Sequence, residues 1–416
     1  MLFRSILIAT LATLAILVAG ALYLRPRSVG GEGPSGAYRL VLNGSAGAVP
    51  VGLEVGDEDG ATVATLVNGS NRVRAEATVV QGDRLILSFP SYDSRLELAL
   101  AGDAVTGTAH LMRRTGPVAV PITGARDAGW RFYPQAQPPV VDLAGSWTLV
   151  QAGEEGETGV LLLRVAGNRI EGSVAFPSGD VRYLAGEVSG REFALSTFDG
   201  NQGSVWRGRI EADGTLAGDS SGPTAKAPTG WTARRAAGGG GAAIEPVSVE
   251  QPKVDRIDFS FPDAEGRMVS PSDAAHRGKV VVVAIGGSWC PNCHDEAIFL
   301  ADYARKRAGE GLAVIGLSFE YSADPVRNAR QVKRFADRYR LPYPLLVAGE
   351  ASKEATAKAL PGVGPIRVYP TTLVIDRKGK LREIHVGYAG PATGALHDKA
   401  MREFDALVSR LLAEPA

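Results

Sequence analysis

The chain has 416 residues, more than one ordinary core accommodates, so two or three domains are expected. With 45% hydrophobic and 22% charged residues it is globular in composition, and 45 Lys+Arg against 45 Asp+Glu leave no basic surplus for a nucleic-acid partner. Two cysteines exclude a disulfide-stapled scaffold and any four-cysteine zinc or iron–sulfur site built within one chain.

Residues 5–24 carry no charge and are mostly Leu, Ile, Val and Ala, with Arg4 before them and Arg25 and Arg27 after. As a helix rising about 1.5 Å per residue, this stretch spans roughly 30 Å, the thickness of a bilayer core. Residues 1–27 therefore read as an N-terminal transmembrane helix that anchors the chain, or as a signal peptide cleaved near Ala19-Gly20-Ala21. Either reading delivers the rest of the chain outside the cytoplasm. Residues 29–36 are glycine-rich and read as a tether.

From residue 36 to about 235 the pattern is one of short alternating runs between glycine-bearing turns. Tyr38-Arg39-Leu40-Val41-Leu42 and Arg169-Ile170-Glu171-Gly172-Ser173-Val174 are examples. This predicts an antiparallel sandwich or barrel. A duplication is visible as well. Ser35-Gly36-Ala37-Tyr38-Arg39-Leu40-Val41 is similar to Ala144-Gly145-Ser146-Trp147-Thr148-Leu149-Val150, and the runs ending in Tyr92-Asp93 and Phe198-Asp199 correspond. We expect two β modules, residues 36–132 and 142–235, joined by a connector stiffened by Pro134, Pro138 and Pro139. Trp130, Trp147, Trp206 and Trp231 read as fillers of small β cores, and His110 as a surface residue. Residues 236–251, centred on Gly238-Gly239-Gly240-Gly241, can bury nothing and read as a linker.

Beyond the linker the periodicity changes. Lys279-Val280-Val281-Val282-Val283-Ala284-Ile285 is a continuous apolar run, as in a strand covered on both faces. A helix over 292–307 follows, then a second buried strand over 312–317. Asp324 and Pro325 supply a cap and a first-turn proline for a helix carrying Val332, Phe335 and Tyr339. A strand over 343–347, a short helix over 352–360 and a hairpin about 377–380 come next. A final amphipathic helix carries Phe404, Leu407, Val408 and Leu411 on one face. Residues 252–416 thus form an α/β layer domain.

Both cysteines stand in Cys290-Pro291-Asn292-Cys293, where strand gives way to helix. At a helix N-terminus, unpaired N–H groups and the macrodipole favour a thiolate. Pro291 suits the first helical position, where a missing N–H costs nothing. Cys293, one turn on, is close enough to pair with Cys290 and is expected to be the more buried of the two. Cys290 would then attack a partner's disulfide and Cys293 resolve the mixed disulfide, with Trp289 shielding one side.

The segment Gly287-Ser288-Trp289-Cys290-Pro291-Asn292-Cys293-His294-Asp295-Glu296 resembles the active site of the thioredoxin superfamily, and Glu296 its TlpA/ResA-like branch. Val368-Tyr369-Pro370-Thr371-Thr372-Leu373-Val374-Ile375-Asp376 is similar to that branch's second signature. The resemblance covers roughly residues 254–413. It implies a thioredoxin-like domain with an αβ insert at about 322–347. It implies a cis Pro370 whose loop faces the dithiol, with Tyr369 and Thr371 placed to receive a substrate strand. Glu320 matches an acidic residue near the dithiol that could take the proton of Cys293. Ala284 stands where thioredoxin carries a buried aspartate, so another base is needed.

The implied protein is a thiol–disulfide oxidoreductase of the cell envelope, on the periplasmic or extracytoplasmic face and held to the membrane by its N-terminal helix. It would exchange with protein disulfides or thiols and draw electrons from a membrane donor protein, with no cofactor and no metal. By the resemblance it is a reductase, although the Pro-Asn dipeptide leaves the direction open. Three other chemistries share these residues. Cys290, Cys293 and His294 satisfy a haem-attachment pattern, which needs neither the preceding strand nor the downstream Tyr-Pro-Thr-Thr. A copper-binding chaperone would use both cysteines and a histidine such as His385, because soft thiolates select Cu(I). A peroxidase needs Thr or Ser three residues before its reactive cysteine, where Gly287 stands. His276 and His397 read as surface residues.

Overall fold

The computed structural model describes residues 33–153, 156–236 and 254–415. The expected anchor or signal segment and all but the first residue of the expected linker lie outside the described residues. Among the described residues no helix is long and apolar enough to cross a membrane.

The first unit is an antiparallel meander of nine strands among the described residues: β1 (Gly36–Gly44), β2 (Gly47–Glu58), β3 (Ala61–Asn68), β4 (Asn71–Arg74), β5 (Ala77–Gln81), β6 (Arg84–Phe89), β7 (Ser94–Ala101), β8 (Ala104–Arg113) and β9 (Gly116–Arg126). Each strand pairs with its sequence neighbour except across an open seam between β4 and β5, and β1 pairs with β9. Alternation drives the curl. On β6, Leu85, Leu87 and Phe89 point into the core while Arg84 faces solvent.

The second unit runs β10 (Gly145–Gln151), β11 (Thr158–Ala166), β12 (Arg169–Phe176), β13 (Gly179–Asp180), β14 (Leu184–Ser189), β15 (Glu192–Phe198), β16 (Gly203–Ile210), β17 (Leu216–Ser221) and β18 (Thr229–Arg235). Here too the first strand pairs with the last, and a β11–β12 pairing closes the sheet into a barrel. Trp147, Trp206 and Trp231 fill its core. Trp130 does not. It lies in a cleft of about 420 Å³ between the units, under the Arg39 guanidinium at 4.1 Å. The units are not beads on a string, because Phe198 and Val205 of the barrel belong to the core of the first unit.

The third unit has a five-stranded sheet: β21 (Val280–Gly286), β22 (Leu312–Glu320) and β23 (Leu345–Glu350) are parallel, and beyond β21 lie β24 (Thr371–Ile375), antiparallel to β21, and β25 (Leu381–Val386), antiparallel to β24. A small ribbon, β19 (Phe261–Pro262) with β20 (Met268–Val269), precedes it in the chain and is bridged to β23 through Asp263 and Leu346. Four helices pack on the sheet among the described residues: α1 (Pro291–Lys306), α2 (Pro325–Tyr339), α3 (Lys353–Ala359) and α4 (Ala395–Ala413). The unbroken apolar run of β21 reflects burial on both faces. Val281, Val283 and Ile285 join one core with Ile315 and Leu317, whereas Val282 joins Leu300 and Val408 on the other side. Asp324 caps α2 as expected, accepting from the Val326 N–H at 2.9 Å.

The first unit docks on α2. Gln331 donates to the carbonyls of Ser91 (2.7 Å) and Pro90 (3.1 Å), and Arg327 pairs with Asp93 at 2.8 Å.

Candidate active site

Cys290 and Cys293 are joined by a disulfide, with Cα atoms 5.3 Å apart. Cys290 is the N-cap of α1, its Sγ accepting from the Cys293 N–H at 3.3 Å, and Pro291 opens the helix. The sulfur therefore stands where the helix concentrates positive potential. The peptide between Tyr369 and Pro370 is cis, and the Tyr369 carbonyl oxygen lies 3.5 Å from Cys290 Sγ. Trp289 forms the adjoining wall, stacked on Tyr321 at 4.4 Å and edge-on to Tyr369 at 5.1 Å, its indole N–H donating to the Phe319 carbonyl. Thr371 is buried at the start of β24. Cys290, Trp289, Tyr369 and Pro370 thus meet at one place, with Thr371 next along the chain, its hydroxyl donating to the Val368 carbonyl.

One expectation needs correcting. Cys293 is not the more buried cysteine: Cys290 is 4% exposed and Cys293 5%. Surroundings, rather than depth, separate them. Cys290 meets the cis-proline loop, while Cys293 borders a cavity of about 30 Å³ lined also by Glu296, Ala284, Ser318 and Phe335. That space is large enough for a water or two. The Glu296 carboxyl, accepting from the Thr372 hydroxyl, has its pKa pushed up to about 7 by burial, against the pull of that hydrogen bond. In the sequence Glu296 stands out only as part of a motif, and the resemblance implies the base role for Glu320. Glu320 is buried beside the segment that leads into the dithiol, its oxygens taken by the Ser288 N–H (2.9 Å), the Ser288 hydroxyl (2.8 Å) and the Ser318 hydroxyl (2.7 Å). It stitches β22 to the loop before the dithiol. The signal for Glu296 lay in its spacing: three residues after Cys293 on a helix returns it to the same face.

The residues after the dithiol are also enclosed. The His294 ring stacks on Tyr92 of the first unit at 3.9 Å and meets Phe335 edge-on at 4.6 Å. Its Nε2 is 2.7 Å from the Ser288 carbonyl, which can only accept, so Nε2 carries the proton and Nδ1 accepts from the Tyr339 hydroxyl at 2.6 Å. Burial lowers the imidazole pKa to about 3, so it is neutral, and neither nitrogen is left for an axial or copper ligand. His385 is exposed on β25. Among the described residues no group of three or more His, Cys, Asp and Glu is placed to hold a metal ion. His276 and His397 are partly buried rather than at the open surface, each Nδ1 at a backbone carbonyl.

Comparison with known proteins agrees with this geometry. Residues 254–384 match the AhpC/TSA family. A thioredoxin-like protein of Bacillus subtilis, YneN, is 32% identical over 130 residues, 31% of this chain and 68% of that one. The thiol–disulfide oxidoreductase ResA of Geobacillus thermodenitrificans is 29% identical over 130 residues, 31% of this chain and 66% of that one. A crystal structure of a thiol:disulfide interchange protein of the thioredoxin family from Chlorobium tepidum covers 40% of this chain and 100% of that one, with 23% identity and a TM-score of 0.29. By its C-terminal unit the chain belongs to the thioredoxin superfamily. It spans about two thirds of the length of the two relatives named.

Proposed function

We propose that the chain is an envelope-facing thiol–disulfide oxidoreductase that reduces disulfides in protein substrates. The observation that carries this reading is the Cys290 sulfur at the cap of α1, beside the Tyr369 carbonyl. In the reduced state the Cys290 thiolate attacks one sulfur of the substrate disulfide; the other substrate sulfur leaves and takes a proton. Cys293 then gives its proton toward Glu296, attacks Cys290 Sγ, and displaces the second substrate thiolate. Two electrons pass to the substrate and the intramolecular disulfide remains. A donor dithiol, in this reading a membrane protein, reverses that step. The elevated Glu296 pKa suits a group that must accept and return a proton near neutrality. Tyr369, Pro370 and Thr371 would receive the substrate strand. Since Cys290 is 4% exposed, the wall formed by Trp289 and Tyr369 must give way as that strand arrives. The envelope location rests on residues 5–24, as anchor or signal.

The test is reduction of insulin by the intact protein with dithiothreitol as donor. Cys290→Ser should abolish it, and retained turnover would overturn the nucleophile. Cys293→Ser should accumulate mixed disulfides on gels run without reductant, and trapping none would reverse the roles.

A further inference from the structure

The first turns of α1 are gripped from outside the α/β unit. Asn292 lies against Gly179 of the barrel, where a Cβ would fall 2.3 Å from its Nδ2. His294 is stacked by Tyr92 of the first unit. Asp295 is held by Arg182 of the barrel through a two-point contact, Nε to Oδ2 at 2.8 Å and Nη2 to Oδ1 at 2.7 Å. The Arg182 backbone is left-handed at φ 61°, tied by its N–H to Asp180, and this aims the guanidinium across the boundary. Its remaining nitrogen, Nη1, pairs with Asp199 at 2.9 Å, and Asp199 in turn accepts from the Tyr92 hydroxyl at 2.7 Å. One arginine therefore ties all three units together at the dithiol helix.

Asp295 sits near the end of α1 that must stabilise a thiolate, and an unbalanced carboxylate there opposes one. We propose that Arg182 is a positioning residue of the redox centre, cancelling the charge of Asp295 so that the barrel sets the reduction potential of the Cys290/Cys293 pair. This rests on the oxidoreductase reading and adds to it a task for the β units. The other charged or titratable groups facing this end of the helix include Tyr92 from the first unit, Asp180, Tyr183 and Asp199 from the barrel, Arg338 and Tyr339 from α2, Tyr343 and Tyr388 from loops of the α/β unit, His397 from α4 and Glu296 from α1 itself. Two hydrogen bonds place Arg182 closest in effect to Asp295, whose carboxyl burial pushes up and Arg182 pulls back.

The sign follows. Without Arg182 the thiolate is disfavoured, the reduced protein is less stable, and the pair becomes a stronger reductant. Without Asp295 the reverse holds. The experiment equilibrates the full chain with glutathione buffers at pH 7 and measures the oxidised fraction by thiol alkylation and mass. Asp295→Asn should shift the equilibrium constant three- to tenfold toward the reduced form, tenfold being about 30 mV. Arg182→Met should shift it toward the oxidised form by a similar factor. The double variant Arg182→Met/Asp295→Asn should return to within about twofold of the unaltered protein. A constant unmoved by Asp295→Asn, or a double variant that stays with either single one, overturns the proposal. Should Arg182→Met not fold, the nearly isosteric Asp295→Asn decides alone. The readout needs a reversible dithiol and no protein substrate. A chain inert toward insulin but shifted by these variants would sink the function above and leave this inference standing.

Discussion

The inner side of α1, against the sheet, and its outer side, against the β units, bury two consecutive carboxyls but give them different partners. Glu296 faces inward to a small cavity, with the Thr372 hydroxyl as its hydrogen-bond donor, and burial carries its pKa to about 7. Asp295 faces outward, is nearly as enclosed, and is met by a guanidinium from another unit. Burial raises the pKa of both carboxyls; on the outer side Arg182 opposes that rise, and on the inner side only the Thr372 hydroxyl does.

The largest effect should come from breaking the outer side. Arg182→Met leaves Asp295 and Asp199, whose side chains are 10% and 7% exposed, without their cation. Removing one partner from such a pair costs about 3 kcal/mol or more. Urea unfolding of the variant checks it, and an unchanged midpoint would mean that the contact is ornamental. The inner side is tested by pH. The folded-state pKa of Glu296 lies above its unfolded value, so below about pH 4.5 both states hold the proton and nothing is lost. As pH rises toward 7 the unfolded chain ionises first, and the native state is penalised by roughly 3 kcal/mol at most. Glu296→Gln should thus gain stability over the unaltered protein that is larger at pH 8 than at pH 5; an equal gain at both would place the proton elsewhere. Asp180, raised to about 7 by burial and by Asp295, adds a slope of the same sign that Asp180→Asn would remove. The smallest effect calibrates the others. Lys333 and Asp337, paired at 3.0 Å on the outside of α2 and more than half exposed, should cost only about 0.3 kcal/mol when Lys333 becomes Ala.

What could be read from the sequence was local. The buried run of β21, the cap and proline of α2, and the cysteines at a strand-to-helix junction each follow from residues within a few positions of one another. Pro370 beside the dithiol came from a motif at a fixed distance. The clamp was out of reach. Arg182 lies 113 residues from Asp295, and Tyr92 is further still from His294, so no period or spacing joins them. Glu320 accepts from serines on both sides, a neighbourhood that its place at a strand end does not reveal. The equal burial of the two cysteines was hidden for a related reason, since the cover over Cys290 is assembled from distant loops.

The two β units share hydrocarbon: Phe198 and Val205 are rooted in one and packed in the other. Excising the barrel would strip those side chains from its neighbour and open a hole in hydrophobic interior that was never meant to be wetted. The two units should therefore be stable only together, and a chimera that grafts one of them onto a foreign redox domain should need its twin as well.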